Sequence, residues 1–201
     1  MTRRLLIGLC PMGAAVFLMI VFAYMRWPLW QQSFMSDFSP AAWLSSAQLL
    51  AAAMLAFRLG IDGTLSRKLS AWLALALWVL ALDEQFMLHE HWKYGCERWI
   101  AVCTYAWVRE LPTLLVCGVG SLTVALLWRA LPDKAFRWLI ASALAVGLFA
   151  LYVDLAAVPE ILAALEEALE VLAESLFVGA LLVASISSET SSRPESPPIS
   201  V

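Results

Sequence analysis

The chain has 201 residues, of which 62% are hydrophobic and only 14% charged, with a formal net charge of −3 and a mean hydropathy of +0.80. A soluble domain carries about 25% charged residues, so this composition excludes a water-soluble globule. The negative balance, with no basic stripe, excludes nucleic acid as a partner, and four scattered cysteines do not make a secreted disulfide scaffold.

About 20 mostly apolar residues cross the hydrocarbon of a bilayer as a helix, and six stretches meet that length. Span 1 runs from Leu5 to Met25, span 2 from Pro40 to Leu59, and span 3 from Leu69 to His91. Span 4 covers Leu111 to Leu131, span 5 Phe136 to Val158, and span 6 Glu160 to Ser187. The basic start at Arg3 and Arg4 resembles that of a signal peptide. The apolar run behind it exceeds the roughly 7–15 residues of a signal core, and no small-residue cleavage site closes it, so span 1 is expected to stay in the membrane. The expected fold is therefore an all-α polytopic bundle of six transmembrane helices over residues 1–187. Residues 188–201 form a cytoplasmic tail, because the Ser- and Pro-rich composition that begins near Ser185 is that of disorder.

Lysine and arginine set the orientation. With the N-terminus inside, the inner segments hold nine (Arg3, Arg4, Arg58, Arg67, Lys68, Arg129, Lys134, Arg137 and Arg193) and the outer segments four (Arg26, Lys93, Arg98 and Arg109). Both termini are then cytoplasmic, and a bacterial inner membrane is the expected location. Trp27, Trp30, Trp43, Trp92, Trp99 and Trp107 gather at the outer boundary as an aromatic belt. The outer segments Pro28 to Ser39 (with Trp30, Phe34 and Phe38) and Trp92 to Glu110 are aromatic and expected to lie in the interface. Cys96 and Cys103 sit seven apart in the second of these; they can bond only if that segment bends. Cys10 and Cys117 read as buried fillers. Spans 2 and 4 read as plain apolar helices.

Polar chemistry concentrates in spans 3, 5 and 6. Span 3 carries Asp83-Glu84, then His89-Glu90-His91; span 5 carries Asp154; span 6 carries Glu166-Glu167, Glu170 and Glu174. Ionisable residues inside a membrane are costly and face the bundle interior, which makes each a functional candidate. Counting about 1.5 Å per residue from the inner boundary places Asp83, Asp154, Glu170 and Glu174 roughly 17–24 Å up, with Glu90 and Glu167 at roughly 27–30 Å. On a straight helix Asp83 and Glu90 share a face with Glu84 and His91 to one flank, while His89 points away. Glu160, Glu167, Glu170 and Glu174 share a face of span 6 about 80° wide, with Glu166 outside it. Glu160 and Glu166 read as solvated helix ends.

Like charges this close repel in a low dielectric, and no lysine or arginine lies at that depth, Lys93 being placed at the outer rim. Shared protons, a water-filled vestibule or a bound metal would each compensate. Carboxylate with imidazole is the donor set of zinc, iron and manganese, so Asp83, Glu90, His91, Asp154, Glu170 and Glu174 are the expected metal ligands. Asp83, Glu90 and Glu167 are the expected catalytic groups, one carboxylate acting as base toward metal-bound water.

Leu82-Asp83-Glu84 followed by His89-Glu90, with the late Leu165-Glu166-Glu167-Ala168-Leu169-Glu170, resembles a group of small multi-pass bacterial membrane proteins without an assigned function. The resemblance ties spans 3 and 6 together and implies no activity. Three functions fit the sequence. One is a metal-dependent hydrolase of a lipid or lipid-linked substrate. The second is a cation- or proton-coupled transporter. The third is a non-catalytic subunit whose acidic face meets a membrane-protein partner or a second copy of the chain.

Overall fold

The computed structural model describes residues 1–35, 39–155 and 160–191. Among them the chain is helical, with no strand. The long helices are α1 (Thr2–Met25), then α3 (Pro40–Ile61) and α4 (Arg67–Phe86), preceded by the one-turn α2 (Gln32–Met35). After α4 come α5 (Leu88–Gly95), two 3₁₀ turns (Cys96–Arg98 and Ala101–Thr104) and the short α6 (Ala106–Arg109). The chain then forms α7 (Leu111–Ala130), α8 (Lys134–Leu155) and α9 (Glu160–Ser191). Six helices are long and apolar enough to cross a membrane. They coincide with the six spans read from sequence, apart from the outer part of span 3. The outer face is apolar as a lipid-facing surface must be, with Phe17, Met54, Phe57 and Trp138 all exposed.

Local chemistry sets the helix starts. Ser39 Oγ accepts the Ala42 amide at 3.0 Å ahead of Pro40 at the first helical position. Ser66 caps α4 in the same way. Asp133 Oδ1 accepts the Ala135 and Phe136 amides at 2.8 and 3.1 Å at the start of α8. Its other oxygen receives Arg4 Nη1 at 2.7 Å, and Arg4 also donates to Ser187 Oγ. The start of α1, the α7–α8 turn and the end of α9 are therefore fastened together at one end of the bundle. Burial opposes ionisation of Asp133, but the Phe136 amide, the Arg4 guanidinium and the Ala135 amide outweigh it and hold its carboxyl below the usual range.

Helix α9 is central, packing on α8, α1 and α3, while α3 pairs with α4. In the half of the bundle where α1 begins, the side chains are small where backbones cross. A Cβ on Gly179 would strike the Gly8 carbonyl, and one on Gly60 would strike the Ser70 side chain. Ser70 Oγ donates to the Ala56 carbonyl at 2.8 Å, and Ser46 Oγ to the Ala81 carbonyl at 2.9 Å. Close approach with interhelical hydrogen bonds is how helices associate where no hydrophobic force separates protein from lipid. Leu59, Phe136, Ile140 and Leu181 fill the core between them.

Several expectations meet a different outcome. Span 3 breaks at Met87, which adopts φ 51°, ψ 42°, so α4 and α5 are separate helices. Helix α9 continues to Ser191, past the Ser185 where a disordered composition begins; residues 192–201, like Phe38 and Val158, lie outside the described residues. Cys10 is exposed rather than buried. The outer segment around Trp30 and Phe34 folds back, with Ser33 Oγ on the Phe22 carbonyl at 3.0 Å and Phe34 buried. Cys96 and Cys103, whose bonding the sequence leaves open, are disulfide-bonded, the two 3₁₀ turns supplying the bend that it requires.

The Gly8–Gly179 crossing gives a direct test. Gly179→Ala places a methyl against backbone, so thermal unfolding in detergent is expected to show a loss of about 1–3 kcal/mol. Gly13→Ala, with open space at its Cβ, is expected to leave stability unchanged or raise it by about 0.4–1 kcal/mol.

Candidate functional site

The break at Met87 builds the site. A non-glycine residue in the left-handed region costs about 1–3 kcal/mol, and Asp83 offsets it by bonding across the break. Its carbonyl accepts the Met87 amide, Oδ1 accepts the His89 amide at 2.9 Å, and Oδ2 lies 2.9 Å from His89 Nδ1. Asp83 thus caps the first turn of α5 and fixes the His89 ring, whose Nε2 has no partner among the described residues. The hydrogen bond to Asp83 raises the His89 pKa above its ordinary value; burial opposes, and the neighbouring acids Asp83, Glu84 and Glu90 reinforce.

The break also exchanges the two histidines relative to a straight helix. His89 lines the site, whereas His91 is exposed and its Nδ1 lies 2.8 Å from the Met87 carbonyl. Further along α5, Lys93 turns inward. Its ammonium lies 2.9 and 3.2 Å from the Asp154 carboxylate of α8 and 3.3 Å from Glu110 Oε2. Burial disfavours its charge, yet the bonds and charges of Asp154 and Glu110 prevail and raise its pKa. The expectation that no cation reaches this depth is therefore corrected. The reach comes from the helix break together with a long side chain whose stem is apolar.

Between α4, α5, α8 and α9 lies a cavity of about 380 Å³. Asp83, Glu84, His89 and Glu90 line it from α4 and α5; Glu166, Glu167 and Glu170 line it from α9, with Asp154 and Lys93 on a third side. The three groups expected to be catalytic, Asp83, Glu90 and Glu167, all face it. Glu166 does as well, contrary to its reading as a solvated helix end; the Glu160 side chain is outside the described ones. Glu174 sits one turn deeper. Its Oε1 accepts Ser45 Oγ at 2.7 Å, and its Oε2 is buried with no hydrogen-bond partner among the described residues.

Ser45 and Gln48, with Ser175 Oγ 3.1 Å from Gln48 Oε1, show that span 2 is not a plain apolar helix. The signal was the Ser45-Ser46-x-Gln48 cluster within its first turns. Span 4 likewise contributes Thr113 to the cavity wall.

The six residues expected as metal ligands do not form one coordination sphere. His91 points out, Asp154 is held by Lys93, and Glu174 is turned to Ser45. Among the described residues, no three or more His, Cys, Asp or Glu side chains converge as a metal ion requires. The cavity instead holds more carboxylates than cations: His89 is engaged by Asp83 and Lys93 by Asp154 and Glu110, leaving Glu84, Glu90, Glu166, Glu167 and Glu170 without an ion pair among the described residues.

A second cavity, of about 310 Å³ and almost wholly apolar, lies below the first between α7 and the α4, α8 and α9 helices. Leu80, Thr113, Val116 and Glu170 border both. Cys117, expected to be a filler, lines this second space.

The chain belongs to a family described as a domain of unknown function (DUF8692), whose model matches residues 9–185 and so takes in all six long helices in whole or in large part. No curated protein and no solved structure matches the chain.

The Asp83–His89 bond has a measurable consequence. In a proton NMR titration of the imidazoles, His89 should titrate above the ordinary value of about 6.5 and fall back toward it in Asp83→Asn. Because the folded value is the higher one, the pair supports α5 fully below the ordinary imidazole pKa. That support is lost as pH rises through the raised value, so amide exchange in α5, corrected for its intrinsic pH dependence, should accelerate there.

Proposed function

We propose that this protein is a multi-pass carrier of the bacterial inner membrane that exchanges protons for a cation at the acidic cavity. The nine-to-four excess of Lys and Arg favours cytoplasmic termini, which puts the cavity and the Cys96–Cys103 disulfide on the exported side. The observation that carries the reading is the surplus of carboxylates around one cavity. Five of them lack an ion pair among the described residues, whereas Asp83, Asp154 and Asp133 each have a cationic or imidazole partner.

Unpaired carboxylates cannot all stay ionised in a low dielectric. They either hold protons or face a bound cation, and a site that alternates between those two states couples the two fluxes. The cation would reach the cavity from the exported side. Glu170, deepest of the unpaired groups at the polar cavity, would receive it. Glu84 and Glu167 would flank it, Ser45 would steady Glu174 beneath, and Lys93 with Asp154 would hold the wall on α8.

A hydrolytic reading draws on one different observation. Asp83 orients His89 and leaves Nε2 without a partner among the described residues, the relation that a supporting carboxylate has to a base or to a metal-binding imidazole. Elemental analysis of protein purified without chelator separates the two. One or more equivalents of zinc, iron or manganese, lost in Asp83→Ala, would favour hydrolysis of a lipid-linked substrate.

The carrier reading is tested in proteoliposomes with an internal pH dye. Adding sodium, potassium, tetramethylammonium or tetraphenylphosphonium outside should drive proton movement with at least one of them. Glu170→Gln should slow it by about tenfold or more, the scale of losing one buried charge contact, while Asp62→Asn at the far end should not. No proton movement above protein-free vesicles with any of these cations would contradict it.

A further inference from the structure

The two cavities divide the molecule by polarity, and that division says more about the ligand than either cavity alone. The upper space is walled by carboxylates. The lower one is walled by Leu77 and Leu80 of α4, by Val116 and Gly120 of α7, and by Leu144 and Leu148 of α8. They meet at Glu170, which lines both and makes no hydrogen bond or ion pair among the described residues. Glu174 Oε2, also without a partner there, lies on the apolar side of the same junction.

The lower space follows α7 from Thr113 to Val124, a length of about 16 Å at the rise of an α-helix. Helix α7 allows this because it packs chiefly on α8 and, at its top, on α5 and α6, leaving a gap toward α4 and α9. A Cβ on Gly118 or Gly120 would meet nothing within 4 Å. Gly120, which lines the space, is exposed, so the gap is open beside α7 and leaves room for an apolar group to enter there.

Resting on the carrier reading, we infer that the transported ligand is an amphipathic organic cation, its charged group beside Glu170 and its apolar part in the cavity between α4, α7 and α8. A small inorganic cation would use the carboxylates and leave the lower space without a role. An anionic lipid would bring its charge against the acids, which costs several kcal/mol for juxtaposed like charges. A neutral lipid chain would fill the lower space but gain nothing from Glu170. Only a molecule with both parts uses the junction as it is built.

The test is equilibrium binding to the full-length protein in nanodiscs, with empty nanodiscs subtracted. The probes are tetraphenylphosphonium, tetraphenylborate (the same shape with opposite charge) and tetramethylammonium (the charge without the apolar part). Tetraphenylphosphonium should bind at least about tenfold more tightly than either comparator, on the scale of one buried charge contact or a few buried methylenes. Glu170→Gln should weaken it by a similar factor. Gly120→Leu and Leu148→Trp, which fill the lower space from two different helices, should weaken tetraphenylphosphonium but not tetramethylammonium; either variant serves if the other does not assemble, as judged by size-exclusion profile.

Equal binding of tetraphenylborate would overturn the inference. So would full-strength tetraphenylphosphonium binding in a well-assembled cavity-filled variant, which would mean that the lower space is merely occupied by lipid. The inference and the carrier reading fail separately. Tetraphenylphosphonium bound as described without proton movement sinks the carrier and keeps the ligand class. Proton movement driven by tetramethylammonium, with no tetraphenylphosphonium bound, does the reverse.

Discussion

Carboxylates crowded on one side of α9 are the constraint to which the half of this bundle opposite the start of α1 answers. Two like charges about 4 Å apart repel by about 4 kcal/mol at an effective dielectric near 20, and Glu166, Glu167, Glu170 and Glu174 fall within nine residues. The neighbouring helices satisfy one α9 carboxylate and pair their own charges around the rest. Helix α3 turns Ser45 toward Glu174. Helix α5 breaks away from α4 and swings Lys93 in to Asp154 and Glu110, and Asp83 spends both carboxylate oxygens on His89. What these responses leave uncompensated is the chemical potential of the site. A cluster built only for stability would have closed its remaining valences.

The two halves of the bundle divide the labour. At the end where α1 begins, backbones touch at Gly8 and Gly179, and Arg4 ties three segments through Asp133 and Ser187. There the core of Leu59, Phe136 and Ile140 is fully closed. At the opposite end the helices part around one polar and one apolar space, and α7 stands off from α4. A rigid base with a loosely filled upper half lets a cavity exist without loss of the fold. Of the six long helices, α7 has the fewest close neighbours.

Most of the fold was legible because hydrocarbon thickness imposes a length, and hydropathy records that length directly: all six spans appear as helices. The acidic faces of spans 3 and 6 were legible for a similar reason, since periodicity fixes which residues share a side. Periodicity fails where the helix does. Met87 is not a residue that announces a left-handed turn, so a straight span placed His91 inside and His89 outside, and the structure reverses them. The same break carries Lys93 inward from a position that depth counting put at the rim. Glu166 joined the cavity because side chains converge from several helices onto one space, a property no single helical face records. That Cys96 and Cys103 share one segment was readable; their bond depended on two 3₁₀ turns that the sequence did not signal.

The central claim is that the cavity trades protons for a cation. Calorimetry counts those protons directly: tetraphenylphosphonium is titrated into the protein in buffers of the same pH but different ionisation enthalpy, and the slope of apparent binding enthalpy against buffer enthalpy gives protons released per cation bound. The account predicts a release of about one proton, or more, as charge balance at a buried site requires, with the release abolished in Glu170→Gln. Saturable binding with a slope of zero would contradict it, because the carboxylates would then have been waiting ionised and no proton flux could be coupled to the cation.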